Sequence, residues 1–217
     1  REGEGSSLES QPHISREELH QDLEESAKSD NIYLITIFLS SVVAAIGILN
    51  NNVAVIIGAM VIAPLLGPNV SLSLATTLGD IRLARSALKA NLLGIFIAIA
   101  LSAFIGLTLP VDPGIKEISS RTSVGLMDIV LALTSGAAGA LSFTSAAPGV
   151  LIGVAVAVSL LPPLVTFGLL FGAGYESLAI GALLLFLVNF ICVNIAGVVT
   201  FLAQGITPRT WWEAEKA

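Results

Sequence analysis

The chain has 217 residues, of which 54% are hydrophobic and only 12% charged, and a formal net charge of −6. Soluble domains carry roughly 25% charged residues, so a water-exposed globule is excluded: its surface would have almost nothing to ionise. The charge is also segregated, with 12 of the 26 charged side chains in residues 1–30, nine of those acidic. The rest of the chain balances at seven acids and seven bases, so no basic face for nucleic acid is expected.

Residues 1–30 read as an acidic cytoplasmic stub. Within it, Ile14-Ser15-Arg16-Glu17-Glu18-Leu19 has the pattern of a helix start: Ser15 caps, Glu18 stands at the capping-box position and Ile14 staples onto Leu19. Leu19, Leu23 and Ala27 follow at helical spacing. Anionic lipid would repel so acidic a helix. It is therefore expected to pack on the protein itself or on a sister subunit, with a solvated lead-in helix as the alternative. The chain opens on Arg1 with no charged n-region and cleavage site, so no signal peptide is expected, and the missing initiator Met implies that something upstream is absent.

From Asp30 onward, apolar segments near 32–50, 53–78, 88–109, 126–145, 149–172 and 178–204 are each long enough to cross a hydrocarbon core, which takes roughly 20 helical residues. The second contains Pro64, Gly67, Pro68 and Asn69; the fifth contains Pro162 and Pro163. A proline removes a backbone donor and clashes with the preceding turn, so both helices are expected to kink or break there. The freed carbonyls cannot face lipid and must point into protein or water.

The two halves resemble each other. At an offset of 98 residues Asp30 falls on Asp128, Pro64 on Pro162 and Asn91 on Asn189, and each half runs cap, span, tight corner, proline-bearing span, connection, span. Three spans per half invert the second relative to the first. The expected fold is thus an all-α integral membrane protein of six transmembrane helices in two inverted three-helix repeats, with the second and fifth helices broken at prolines. Its parts are the stub 1–30, a first repeat 31–109, an extracytoplasmic connection 110–127, a second repeat 128–208 and a cytoplasmic tail 209–217. Arg82, Arg85 and Lys89, with Arg209 and Lys216, outweigh Lys116 and Arg121 on the other side, which places both termini in the cytoplasm.

The run Val55-Ile56-Ile57-Gly58-Ala59-Met60-Val61-Ile62-Ala63-Pro64-Leu65-Leu66-Gly67-Pro68 closely resembles the prokaryotic uncharacterised hydrophobic domain family, domain of unknown function 389. Gly153 to Pro163, Leu78-Gly79-Asp80 and Gly136-Ala137-Ala138-Gly139-Ala140 extend the match from about Ser15 to about Arg209. The resemblance implies a multi-pass protein of the prokaryotic cytoplasmic (inner) membrane, often preceded by a small α+β domain. It implies no established activity.

Catalysis is not expected. Both histidines, His13 and His20, lie in the stub, and no carboxylate sits mid-span. Asp80 and Asp128 stand at segment ends, where capping explains them. No catalytic residue, metal site or cofactor is expected, and the lone Cys192 reads as a small buried hydrophobe. Proton coupling usually leaves an ionisable group inside the membrane, so a neutral polar site is the better expectation. Its candidates are Asn69, Ser71, Ser73, Asn91, Ser159 and Asn189, with Thr76, Thr77 and Thr166 nearby, around breaks at Pro64, Pro68, Pro162 and Pro163. Small residues at four-residue spacing (Gly149 and Gly153; Gly168 and Gly172; Ala98, Ser102 and Gly106) allow close helix approach within the subunit or at an oligomer seam. The function expected is a channel or carrier for a small solute or ion, a homo-oligomer in the bilayer; the alternative is an oligomeric anchor, scaffold or sensor module without transport.

Overall fold

A computed structural model describes residues 16–144 and 149–207, without the side-chain surroundings of Arg16 and of 149–158. The Ser15 cap, the Ile14 staple, the corner 145–148 and the tail beyond Thr207 lie outside the described residues. Every element found is helical: α1 (Arg16–Ser26), α2 (Asn31–Leu49), α3 (Val53–Ile62), α4 (Leu66–Leu78), α5 (Ile81–Thr108), α6 (Lys116–Ser119), α7 (Leu126–Thr144), α8 (Gly149–Gly172) and α9 (Glu176–Ala203). Four of them (α2, α5, α7 and α9) are long and apolar enough to cross a membrane, and α3 with α4 makes a fifth if the bent pair is one span. The protein is a multi-pass membrane protein by the length and apolarity of these helices.

Local chemistry sets most boundaries. Asp30 caps α2 by accepting from Tyr33 N at 2.7 Å. The three asparagines of the next corner act separately. Asn50 ends α2, Asn51 takes a positive φ of 53°, and Asn52 caps α3 by accepting from Val55 N. Gly79, at φ 70°, closes α4 in the left-handed conformation, and Asp80 caps α5 by accepting from Arg82 N and Leu83 N. That cap starts α5 seven residues before the span expected from hydropathy, carrying Arg82, Arg85 and Lys89 on its first turns. Asp128 accepts from Gly125 N at 2.9 Å, the back-bond of a capping box rather than a cap like Asp30.

The expectation of a proline break holds for one span and fails for the other. Ala63, before Pro64, is extended (ψ 119°), and α3 meets α4 at 55°. By contrast α8 runs as one helix through Pro162 and Pro163. Pro163 has no N–H for the Ser159 carbonyl one turn back, but Asn189 Nδ2 on α9 donates to that oxygen at 2.8 Å. Leu160, Leu161, Leu164 and Val165 around the prolines are fully buried, so packing supports the helix where it continues through them.

The helix bounds recur at a displacement other than the 98 residues expected from the sequence. α2 and α7 both span 19 residues and α5 and α9 both span 28, each pair displaced by 95 residues, not 98. At 95, Gly79 falls on Gly174, both with positive φ, and Pro68 falls on Pro163.

α1 packs on the protein itself. Leu19, Leu23 and Ala27 are buried in one cluster that also holds Val70 and Leu74 of α4, Leu83 and Ala87 of α5 and Phe201 of α9. At this same end Gln204 Nε2 donates to Thr144 Oγ1 at the ends of α9 and α7. At the opposite end Asn51 Oδ1 accepts from Glu117 N of α6, and a Cβ on Gly181 would strike the Thr122 carbonyl. The small residues mark an intrasubunit crossing: Gly168 and Gly172 of α8 lie against Ser102 and Ala103 of α5, and Gly106 against the Leu169 carbonyl. Gly149 and Gly153 belong to the stretch without described surroundings.

Candidate functional site

The polar side chains picked out in the sequence divide into four groups. Asn69 lies one turn into α4 from the break, and its Nδ2 donates to Leu65 O at 2.7 Å. Ser73, one turn on, points the same way. Its Oγ lies 3.1 Å from Asn69 O, 3.2 Å from Asn194 Oδ1 and 3.3 Å from Asn194 O. Asn194 Nδ2 in turn donates to Asn69 Oδ1 at 3.4 Å and to its own Phe190 O at 2.9 Å. Asn69 and Ser73 are both buried, while Asn194 is half-buried. The α4–α9 crossing is close because Gly197 faces Ser73: a Cβ there would stand 2.6 Å from Ser73 Oγ.

Ser71 belongs elsewhere. It lies on the other side of α4, where its Oγ meets Leu23 O of α1 at 2.7 Å and Gly67 O at 2.8 Å. Asn91 is buried, and its Nδ2 donates to Ala87 O of its own helix. Ser159 and Asn189 meet through the carbonyl freed by Pro163, and Asn189 Oδ1, also buried, has no hydrogen-bond partner among the described residues. Thr166 Oγ1 is likewise buried and without a partner there. Thr76 is exposed and Thr77 buried, both bonded to carbonyls one turn back. Pro64 is half-buried; Pro68, Pro162 and Pro163 are buried.

The sequence reading missed Asn194. It gave weight to Asn189 because a 98-residue offset pairs it with Asn91, yet at the 95-residue displacement of the helices Asn189 stands opposite Gly94 and Asn194 opposite Ile99. The available signal was the cost of an amide in the apolar run 182–203, where each amide needs a partner; by that measure Asn194 ranked with Asn189.

Beside the Asn69–Ser73–Asn194 seam, a cleft of about 420 Å³ opens on the outer surface between α4 and α9. Leu72, Phe190, Ile195 and Val199 form its walls, and Thr76 and Asn194 are its polar members. Asn69 and Ser73 are buried behind this cleft and bonded to Asn194, so Asn194 and Thr76 are the neutral polar groups that face it. No group of three or more His, Cys, Asp or Glu that could hold a metal occurs among the described residues. Outside the spans, His20 Nε2 and Asp80 Oδ2 are 2.9 Å apart. That hydrogen bond, followed by the one from Leu83 N, holds the Asp80 carboxyl below the usual carboxylate range.

Comparison with known proteins matches residues 60–195 to the family described as domain of unknown function (DUF389). The chain is 41% identical, over 204 residues, to an uncharacterised protein of Methanocaldococcus jannaschii; the match covers 94% of this chain. It spans 64% of that relative's length. No solved structure matches the chain significantly.

Proposed function

This chain belongs to the DUF389 family, and from that premise we propose that it is a channel or carrier for a small neutral solute or a monovalent cation, acting as a homo-oligomer in a prokaryotic cytoplasmic membrane. The observation that carries the reading is the seam of Asn69, Ser73 and Asn194 beside a broken helix and an open cleft. Half-helix ends and unwound backbone are how many carriers hold ions without charged residues. In this reading the cleft is completed by a second copy, because a lone subunit leaves Asn194 and Thr76 at the lipid-facing surface. The protein performs no covalent chemistry and needs no cofactor.

The topology proposed with it is six spans, counting α3 with α4 as one and adding α8, in two inverted halves. Supporting this are the equal lengths of α2 and α7 and of α5 and α9 at one constant displacement. The contacts agree with an exchange of halves: α5 packs along α8, and α9 along α4. Arg82, Arg85 and Lys89 share an end with α1, and positive charge favours the cytoplasm, so both termini are assigned there.

A second reading, an anchor or scaffold module without transport, draws on the dry packing of Leu160, Leu161, Leu164 and Val165 around Pro162 and Pro163. Flux through reconstituted vesicles separates the two. Passage of monovalent cations or small polyols, depressed at least tenfold by Asn194→Leu and severalfold by Ser73→Ala with assembly unchanged, is the expected result. Wild-type vesicles tight to that whole panel would overturn the transport reading and leave the anchor.

A further inference from the structure

α4 does not hold its own start. Leu65, at its N-cap position, supplies no side-chain hydrogen bond, and the preceding residues are broken at Pro64. The N–H groups of its first turn therefore have no side-chain acceptor at the cap. α9 meets one side of its first two turns through Asn69, and α1 packs on the other. Leu19 and Leu23 share a buried cluster with Val70 and Leu74. Ser71 Oγ donates to Leu23 O, a carbonyl in the last turn of α1, and Ser86 Oγ of α5 donates to Ala27 O just beyond it. Gly67 lets the α1 backbone come close: a Cβ there would stand 2.8 Å from Ser26 Cβ and 3.0 Å from Ser26 O. The His20–Asp80 pair ties the middle of α1 to the corner between α4 and α5.

From this geometry we infer that α1 is a latch: docked, it fixes the α4 half-helix against the bend at residues 63–65, and undocked, it frees that half-helix to pivot on the break. Two carbonyls at the end of α1 are held by hydroxyls of the membrane body, one on each side of the α4–α5 corner. A force or ligand that pulls α1 away therefore acts on α4 and on the start of α5 together. The outward face of α1, with Asp22, Glu24 and Glu25 at or near the surface, remains available for such an input. The effect of the latch on permeation rests on the transport reading above; its effect on α4 does not.

The test uses the whole chain in lipid nanodiscs and hydrogen exchange read segment by segment. Leu19→Ser with Leu23→Ser removes the apolar grip without altering any membrane helix. Gly67→Val drives a wedge under Ser26 by a second route. Each is expected to speed exchange at least tenfold both in α1 and in residues 66–71 of α4, with α9 unchanged as the sign of an intact body. If α1 exchanges freely while 66–71 stays protected, α1 is a passive lid and the latch is overturned. If α1 stays protected in both variants, the named contacts do not hold it, and the proposal fails equally. In vesicles the same variants should raise flux severalfold; a wild type with no flux would defeat the transport reading while leaving the exchange result to judge the latch.

Discussion

Prolines interrupt the chain at 64–68 and again at 162–163, with opposite results. In the first segment Ala63 is driven into an extended conformation and the helix restarts at Leu66 after a bend of 55°. In the second, α8 passes through two consecutive prolines. At the 95-residue displacement of the helices, the prolines of the two segments fall on different neighbours. Pro163 corresponds to Pro68, which sits in the first turn of α4, where a missing N–H has no partner to lose. Pro162 corresponds to Gly67, and Pro64 to Ser159. At that displacement α8 has no proline in the position of Pro64 and one in the position of Pro68. The Ser159 carbonyl that Pro163 deprives of its donor is served from a neighbouring helix by Asn189. A proline bends a helix where sterics act on the preceding residue and no packing opposes them; where a partner helix supplies an amide at the right height, the helix continues.

The largest effect should come from removing that amide. Asn189→Leu takes away the donor to Ser159 O and is expected to destabilise the protein by about 1–3 kcal/mol, read as a lower thermal midpoint in detergent. Pro163→Ala restores a backbone donor to the same oxygen, so in that background the loss from Asn189→Leu should shrink by more than half. Equal losses in both backgrounds would mean that Asn189 acts through something other than the proline.

The halves should also differ in acid. Asp80 caps α5 and pairs with His20, whereas Tyr175, its counterpart, gives α9 no side-chain cap. Since the folded state holds the Asp80 carboxyl below its ordinary value of 3.8, its contribution is complete above that value and disappears as pH falls through the lower, folded one. Exchange corrected for intrinsic rates should therefore show the first turn of α5, and α1 with it, loosening in strong acid while the first turn of α9 is unaffected. Asp80→Ala should reproduce this at neutral pH at a cost of about 1 kcal/mol, typical of a lost cap. Matched loosening of both turns would erase the distinction.

The smallest contrast concerns a pair of hydroxyls at the same position in the two halves. Ser71 bonds Leu23 O, while Thr166, 95 residues later, is buried without a partner among the described residues. Ser71→Ala should cost about 1 kcal/mol. Thr166→Val, nearly isosteric, should be neutral or slightly stabilising, because it removes an unsatisfied polar atom. Thermal midpoints of the two variants give the comparison directly, and a larger loss for Thr166→Val would reverse the assignment.

How much of this was legible in the sequence follows from how far each interaction reaches along the chain. Asp30 to Tyr33, Asn52 to Val55 and Asp80 to Leu83 are bonds across three residues, so caps, corners and the extent of the apolar spans could be read from local pattern alone. The Leu19, Leu23, Ala27 stripe likewise announced a helix with one buried face, though not what would cover it. The bend at Pro64 was readable because the clash acts on the adjacent residue.

Three features were settled only by the tertiary structure. The continuity of α8 through its prolines is supported by Asn189, 30 residues from the carbonyl it serves. The seam joins Asn69 to Asn194 across 125 residues, and the docking of α1 joins Leu23 to Ser71 across 48. Composition and periodicity determine that this chain is helical and apolar enough for a bilayer, because those properties add up residue by residue. Which buried polar group answers which freed carbonyl is decided by the height and rotation at which two helices cross, and packing alone sets those.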